Sequence, residues 1–173
     1  MTYREVEMNI IQWGEDRGIV QNATAMSQTI KTLEETTEML DALEDIIDEA
    51  QGSPILCAYA YRSDAERIME RFKALRPINL TECKSKASLT NAMHRWKTGD
   101  CRLMIGHPAS IGHGIDGLQA NGHILVWYGL NCSPNLYEQF NARVRRQGQG
   151  APVICHRLLK RSQAISPIQR SLK

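Results

Sequence analysis

The chain has 173 residues and a formal net charge of +2, a size that suits one α/β domain with a helical extension and a buried core. The charge is unevenly placed, with eight acids and one lysine in residues 31–50 but 18 bases and seven acids in residues 51–173, so a near-neutral total hides a basic domain that points to phosphates. Scattered cysteines (Cys57, Cys83, Cys101, Cys132, Cys155) without a C-x-x-C pair argue against a zinc site or a disulfide scaffold. The lack of a secretion signal or an apolar run near the roughly 18 residues of a membrane span argues for a soluble cytoplasmic protein without a membrane partner.

In chain order, residues 1–30 show no sustained periodicity and read as a short helical or irregular lead-in. In "TLEETTEMLDALEDIIDEA", Leu33, Met39 or Leu40, Leu43, Ile46, Ile47 and Ala50 recur at three- and four-residue spacing with carboxylates between them, which predicts an amphipathic helix ended by "QGSP". Its acidic residues are also those of an ordinary solvated face. "PILCAYAY" predicts a buried strand, and "SDAERIMERFKAL" a helix headed by a capping box of Ser63 and Glu66. "PINLTEC" is a weaker strand. "SLTNAMHRWKTG" predicts a helix with Ser88 as N-cap and Gly99 as its stop, followed by the strand "CRLMIGHP". A glycine-rich loop, "HPASIGHGIDGLQANG", precedes the strand "HILVWYG"; "SPNLYEQFNARVRRQ" is a helix capped by Ser133 with Pro134 at its first position, and "APVICHRLL" is the closing strand.

Alternation of this kind predicts a mainly parallel sheet covered on both faces, with ligands at the carboxyl ends of the strands. The loop at 107–122 and the helix start at 133 are expected at that edge. The resulting division is a helical segment at 1–50, an α/β domain at 51–160 and a loose basic tail at 161–173.

Two groups of residues can carry chemistry. On a helix Arg143 and Arg146 share a face, with Gln139 one turn earlier and Arg145 rotated away. A guanidinium fork matches phosphate oxygens bidentately and keeps its charge, so this face suits a nucleotide phosphate or a strand backbone; a solvated basic helix end has the same spacing. Gly112, Gly114 and Gly117, with Ser110 and Asp116 among them, permit a close approach of backbone to ligand. No G-K-[ST] occurs in the chain, so it cannot build a complete ATPase site by itself. His107, His113 and His123 follow no ligand pattern, and no metal is expected; Trp96, Trp127, Tyr59 and Tyr128 read as core aromatics.

The stretch "HPASIGHGIDGLQANGHILVWYG" followed by "LYEQFNARVRRQGQ" resembles the second RecA-like lobe of superfamily 2 helicases, most closely the Swi/Snf-like branch common in bacteriophage genomes. Ser110, Gly112, Gly114, Ile115 and Asp116 match its motif V, with Gly117 an extra residue against the usual turn. Gln139, Arg143, Arg146, Gly148 and Gln149 match motif VI, "SPILCAYAYRSDAERI" looks like motif IV, and residues 1–50 look like the segment between the lobes. The resemblance covers about residues 50–160. It implies a RecA-like three-layer α/β/α sandwich preceded by an N-terminal helical segment.

It further implies a motor lobe that completes an ATP site built mostly by a first RecA-like lobe, in cis or in trans. Arg146 would be the arginine finger nearest the terminal phosphate, with Arg143 as its partner and Gln139 as an orienting donor. Gly112, Gly114 and Asp116 would border the nucleotide, and Ser110, Arg145, Lys84 and Lys86 would face double-stranded or forked DNA. ATP and Mg²⁺ belong to the two-lobe enzyme, none being held by this chain alone, in a bacterial or phage-infected cell. The competing reading is a non-catalytic module that binds nucleic acid or a protein partner through its basic face.

Overall fold

The computed structural model describes residues 23–111, 115–129 and 134–160, with only the backbone given for 23–30 and 32. The chain divides into two compact units, 1–38 and 39–173. The first helix, α1 (Ala23–Glu49), starts nine residues earlier than its apolar repeat indicates. Once a helix is nucleated, each added residue contributes a hydrogen bond at little extra cost, so a stretch without strong periodicity can extend it.

From Met39 onward α1 is part of the second unit. Met39, Leu43, Ile46 and Ile47 are buried in the same cluster as Ala65, Ile68 and Phe72, so this part of the acidic helix contributes to one face of the core. Its polar side is tied down as well: Arg71 donates to Asp41 at 3.0 Å and to Glu44 at 2.5 Å.

Five strands, β1 (Ile55–Tyr59), β2 (Ile78–Asn79), β3 (Leu103–Gly106), β4 (Ile124–Tyr128) and β5 (Ile154–Leu158), form one all-parallel sheet in the order β2-β3-β1-β4-β5. Because successive side chains of a strand point to opposite faces, Ile55, Cys57 and Tyr59 join the core under α1 and helix α2 (Arg62–Arg71). Leu56 and Ala58 join the opposite core. That core is covered by α3 (Lys86–Thr98), the short α4 (Pro108–Ile111) and α5 (Pro134–Val144), through Ala92, Met93, Trp96, Ile111, Phe140 and Val144. The expected three-layer α/β/α sandwich is present, and each strand up to β4 is fully buried, as the unbroken apolar runs require.

Local chemistry corrects three details. Helix α2 begins one residue before Ser63, at Arg62, with Tyr61 at the N-cap position but no capping hydrogen bond from its side chain; Glu66 accepts from Arg62 Nε at 3.0 Å instead of closing a capping box. Strand β2 is only two residues long, because the Asn79 side chain accepts from the Thr81 amide at 3.1 Å and turns the chain into a 3₁₀ helix over Leu80–Glu82. The cap of α3 is Ser85 rather than Ser88: its Oγ accepts from the Ser88 amide at 3.0 Å, while Gly99 ends the helix in the left-handed region at φ 82°. Ser85→Ala is expected to lower stability by about 1 kcal/mol in a urea titration, and an unchanged midpoint would show that the cap contributes nothing.

Asp64 is a carboxyl at 4 % exposure in the first turn of α2, with Arg67 Nη1 at 3.4 Å. Burial raises its pKa, opposed by Lys160, a backbone hydrogen bond from Tyr61 and Arg67. The folded state thus holds this proton more tightly than the unfolded chain, so its contribution to stability is complete below the ordinary value of 3.8 and declines as pH rises through the folded value. Asp64→Asn should flatten that decline between pH 4 and neutrality, to about the extent that this one carboxyl causes it. Unfolding midpoints with the same pH slope in both proteins would refute it.

Candidate functional site

Helix α5 is fixed from its inner side. Phe140, Asn141 and Val144 are buried, the Trp127 indole donates to Asn141 Oδ1 at 3.1 Å, and Trp127 meets the Phe140 and Tyr137 rings at centroid distances of 5.0 and 4.8 Å. Pro134 opens the helix at its first position as expected, while Ser133 lies outside the described residues. The helix ends at Val144; the Arg145 amide still donates to Asn141 O at 3.0 Å, but Arg146 is already past the last helical residue. The chain then turns, with Gln149 N donating to Arg146 O at 3.1 Å and Gly148 at φ 96°. Gln149 staples this turn, its amide nitrogen donating to Gly122 O at 2.7 Å and to Val144 O at 3.3 Å.

The partner of this segment is the loop carrying Asp116. Gly117 adopts φ 98° and lies under the Lys97 side chain, where a Cβ would stand 2.8 Å from Lys97 Cε. Just beyond it, the Trp96 indole donates to Leu118 O at 2.9 Å and the Asn121 amide to Trp96 O at 3.1 Å. The loop is therefore pinned to α3 immediately after the carboxylate.

Asp116 Oδ1 accepts a short hydrogen bond from Arg146 Nη1, and Arg143 Nη1 is 3.9 Å from the same oxygen. The two arginines converge even though the helix stops between them, because Arg146 reaches from the turn. Asp116 is 75 % exposed, Arg146 49 % and Arg143 25 %. Ion pairs this exposed contribute only about 0–1 kcal/mol, so they do little for the fold. Two permanent positive charges converge on this one carboxylate, an arrangement suited to receiving an anion. Gln139 does not join them: it is exposed and donates to Asn135 Oδ1 at 3.0 Å, back along its own helix. Gly112 and Gly114 lie outside the described residues, as does His113.

Strand register fixes where this cluster lies. Ile124 pairs with Ile154 and Tyr128 with Leu158, so α5 runs from the carboxyl edge of β4 back to the amino edge, where β5 begins. Since Gln149 bonds to Gly122, just ahead of β4, the turn carrying Arg145 and Arg146 is at the amino edge. The loop at 107–122, expected at the carboxyl edge, starts there after β3, but its Asp116 lies with the arginines, because a connection that must return for a parallel strand carries its last residues to the opposite end.

Ser110, by contrast, is exposed one turn beyond the carboxyl end of β3, and Lys84 and Lys86 are exposed beyond that of β2. The two loops are joined where the His107 amide donates to Thr81 Oγ1 at 2.9 Å. The structure thus separates Ser110, Lys84 and Lys86 from the arginine cluster and places Arg145 with the latter. Lys97 and Trp96 carry no mark for the site in the sequence; Gln149 is marked by motif VI, though not as the residue that staples the turn.

The thiols offer no nucleophile among the groups with resolved shifts. Burial pushes Cys57 far up, and it pushes Cys101 up to about 11, so both stay protonated at neutral pH. Among the described residues no three His, Cys, Asp or Glu side chains are grouped to hold a metal ion. His107 Nδ1 instead accepts from the Ala109 amide at 3.3 Å, and its ring meets Tyr59 edge-on.

Sheet order and the covering helices define the fold as a RecA-like α/β lobe, a fold also present in the C-terminal part of an ATPase domain and in a helicase domain. The C-terminal part of the Fun30 ATPase domain superposes with a TM-score of 0.65 at 16 % identity, over 98 % of this chain and 54 % of that one. The Hef helicase domain of Pyrococcus furiosus gives 0.54 at 12 % identity, over 92 % and 32 %. In sequence, the chain is 32 % identical over 125 residues to putative protein p41 of Acyrthosiphon pisum secondary endosymbiont phage 1, spanning 69 % of this chain and 25 % of that protein. The chain thus spans about a quarter of the length of the curated relative it matches. No family model matches. Among the described residues no helix is long and apolar enough to cross a membrane.

Proposed function

We propose that this chain is the second motor lobe of an ATP-dependent DNA helicase or translocase, supplying arginine fingers to an ATP site that a first RecA-like lobe builds. The observation that carries this reading is the convergence of Arg143 and Arg146 on one carboxylate oxygen, in a fold shared with C-terminal ATPase lobes. The first lobe supplies the phosphate loop and the carboxylates for Mg²⁺; this chain, which has no G-K-[ST], supplies positive charge to the phosphoryl group in transfer. Gln139 is bonded within its own helix, so an orienting role for it requires that bond to open. The separation of Ser110, Lys84 and Lys86 from the arginine cluster supports a division of labour, with DNA phosphates at the carboxyl edge and nucleotide at the other end. Assignment to a Swi/Snf-like branch rests on motifs V and VI together.

The test is reconstitution. The chain alone with ATP, Mg²⁺ and duplex or forked DNA should not hydrolyse ATP, and addition of the cognate first lobe should produce DNA-stimulated hydrolysis. Hydrolysis by the first lobe that is indifferent to this chain would overturn the motor reading and leave the non-catalytic binding module.

A further inference from the structure

One carboxylate oxygen held between two guanidinium groups stands where an oxygen of an anionic ligand would stand. A phosphate entering between Arg143 and Arg146 must therefore displace Asp116, whose carboxylate is 75 % exposed. A second cation is close by. The Lys97 stem lies over Gly117, the residue next to Asp116, and a Cβ at Gly117 would stand 3.1 Å from Lys97 Nζ. Lys97 and Asp116 line the same open groove of about 410 Å³, with Met93, His94 and Ile115 in its walls. Among the described residues Lys97 is in none of the ion pairs.

We propose that Asp116 is an exchangeable counter-ion that occupies the arginine pair in the free lobe, and that Lys97 is a positioning residue that takes Asp116 over when a polyphosphate enters. The proposal rests on the reading of Arg143 and Arg146 as phosphate ligands. Its physical content is an exchange: the ion pair lost at Arg146 is re-formed at Lys97, so the arginines are released without stranding the carboxylate beside an anionic ligand. Pinning of the loop at Leu118 and Asn121 limits movement on the C-terminal side of Asp116.

The experiment measures inorganic tripolyphosphate affinity of the whole chain by calorimetry, in a cycle of wild type, Lys97→Met, Asp116→Asn and the double variant. Methionine keeps an unbranched stem over Gly117 and removes only the charge. Asp116→Asn should tighten binding about twofold to fivefold, and Lys97→Met should weaken it by a similar factor when Asp116 is present, as expected for exposed ion pairs. In the D116N background Lys97→Met should have almost no effect, because there is no carboxylate to receive, and Lys97→Arg should behave as wild type.

Equal weakening by Lys97→Met in both backgrounds would mean that Lys97 attracts the anion directly, and the exchange would be refuted. Arg143→Ala and Arg146→Ala are read separately. If neither lowers tripolyphosphate affinity, the phosphate reading itself fails; if both do while the Lys97 effect ignores Asp116, only the exchange fails.

Discussion

Arg146→Ala is expected to lower ATP turnover of the reconstituted two-lobe enzyme by about 10³-fold or more, with a much smaller change in KM for ATP. In the proposed role the guanidinium acts where charge develops on the transferring phosphoryl group, so its removal would raise the barrier more than it weakens ground-state binding. Arg146 is half exposed, and among the described residues its ion pair is with an exposed carboxylate, so its loss should shift stability by no more than about 0.5 kcal/mol. A dead but fully folded variant is therefore the expected result. Lysine at this position should not restore activity, since a point charge does not reproduce the planar fork. Turnover that survives Arg146→Ala undiminished would remove the finger role.

The largest effect on stability is expected at Trp96. Its side chain is fully buried, packs against Gly122 so closely that a Cβ there would stand 2.3 Å from the ring, and donates to Leu118 O at 2.9 Å. Trp96→Ala should cost about 3–5 kcal/mol through the cavity it leaves, read from the urea midpoint. Trp96→Phe should cost less, about 1–3 kcal/mol, because it keeps apolar bulk but leaves the Leu118 carbonyl without its donor. Since Leu118 is two residues from Asp116, the phenylalanine variant should also loosen the carboxylate that holds the arginines. A drop below about 1 kcal/mol for the alanine variant would mean that the loop does not depend on this indole.

The layers of the fold were legible because a parallel strand buried on both faces must be apolar without interruption, and "ILCAY", "LMIG" and "ILVWY" are. Helix ends were read less well. Ser85 and Ser88 are both acceptable caps by residue type, and the choice depends on where the chain leaves the Leu80–Glu82 turn, which Asn79 sets by a side-chain bond. The same bond cut β2 to two residues, where "PINLTEC" suggested a longer, if weaker, strand. The acidic repeat after residue 32 marked a helix, but whether its apolar stripe lay on this sheet or on a partner was not in the pattern; burial of Leu43 and Ile47 in the core with Ile68 decided it.

For the site, chemistry and placement came from different sources. The sequence by itself determined the residue types: a pair of arginines three apart, an aspartate in a glycine-rich loop, and no phosphate loop of its own, all of which depend only on the order of residues. Tertiary structure alone decided that both arginines meet the same oxygen of Asp116, that Lys97 lies beside it, and that the cluster is at the opposite end of the sheet from Ser110, Lys84 and Lys86. The reason is that helical spacing fixes neighbours only within one element, whereas Arg146 and Asp116 are 30 residues apart, brought together by a parallel strand pairing that returns the chain to the amino edge.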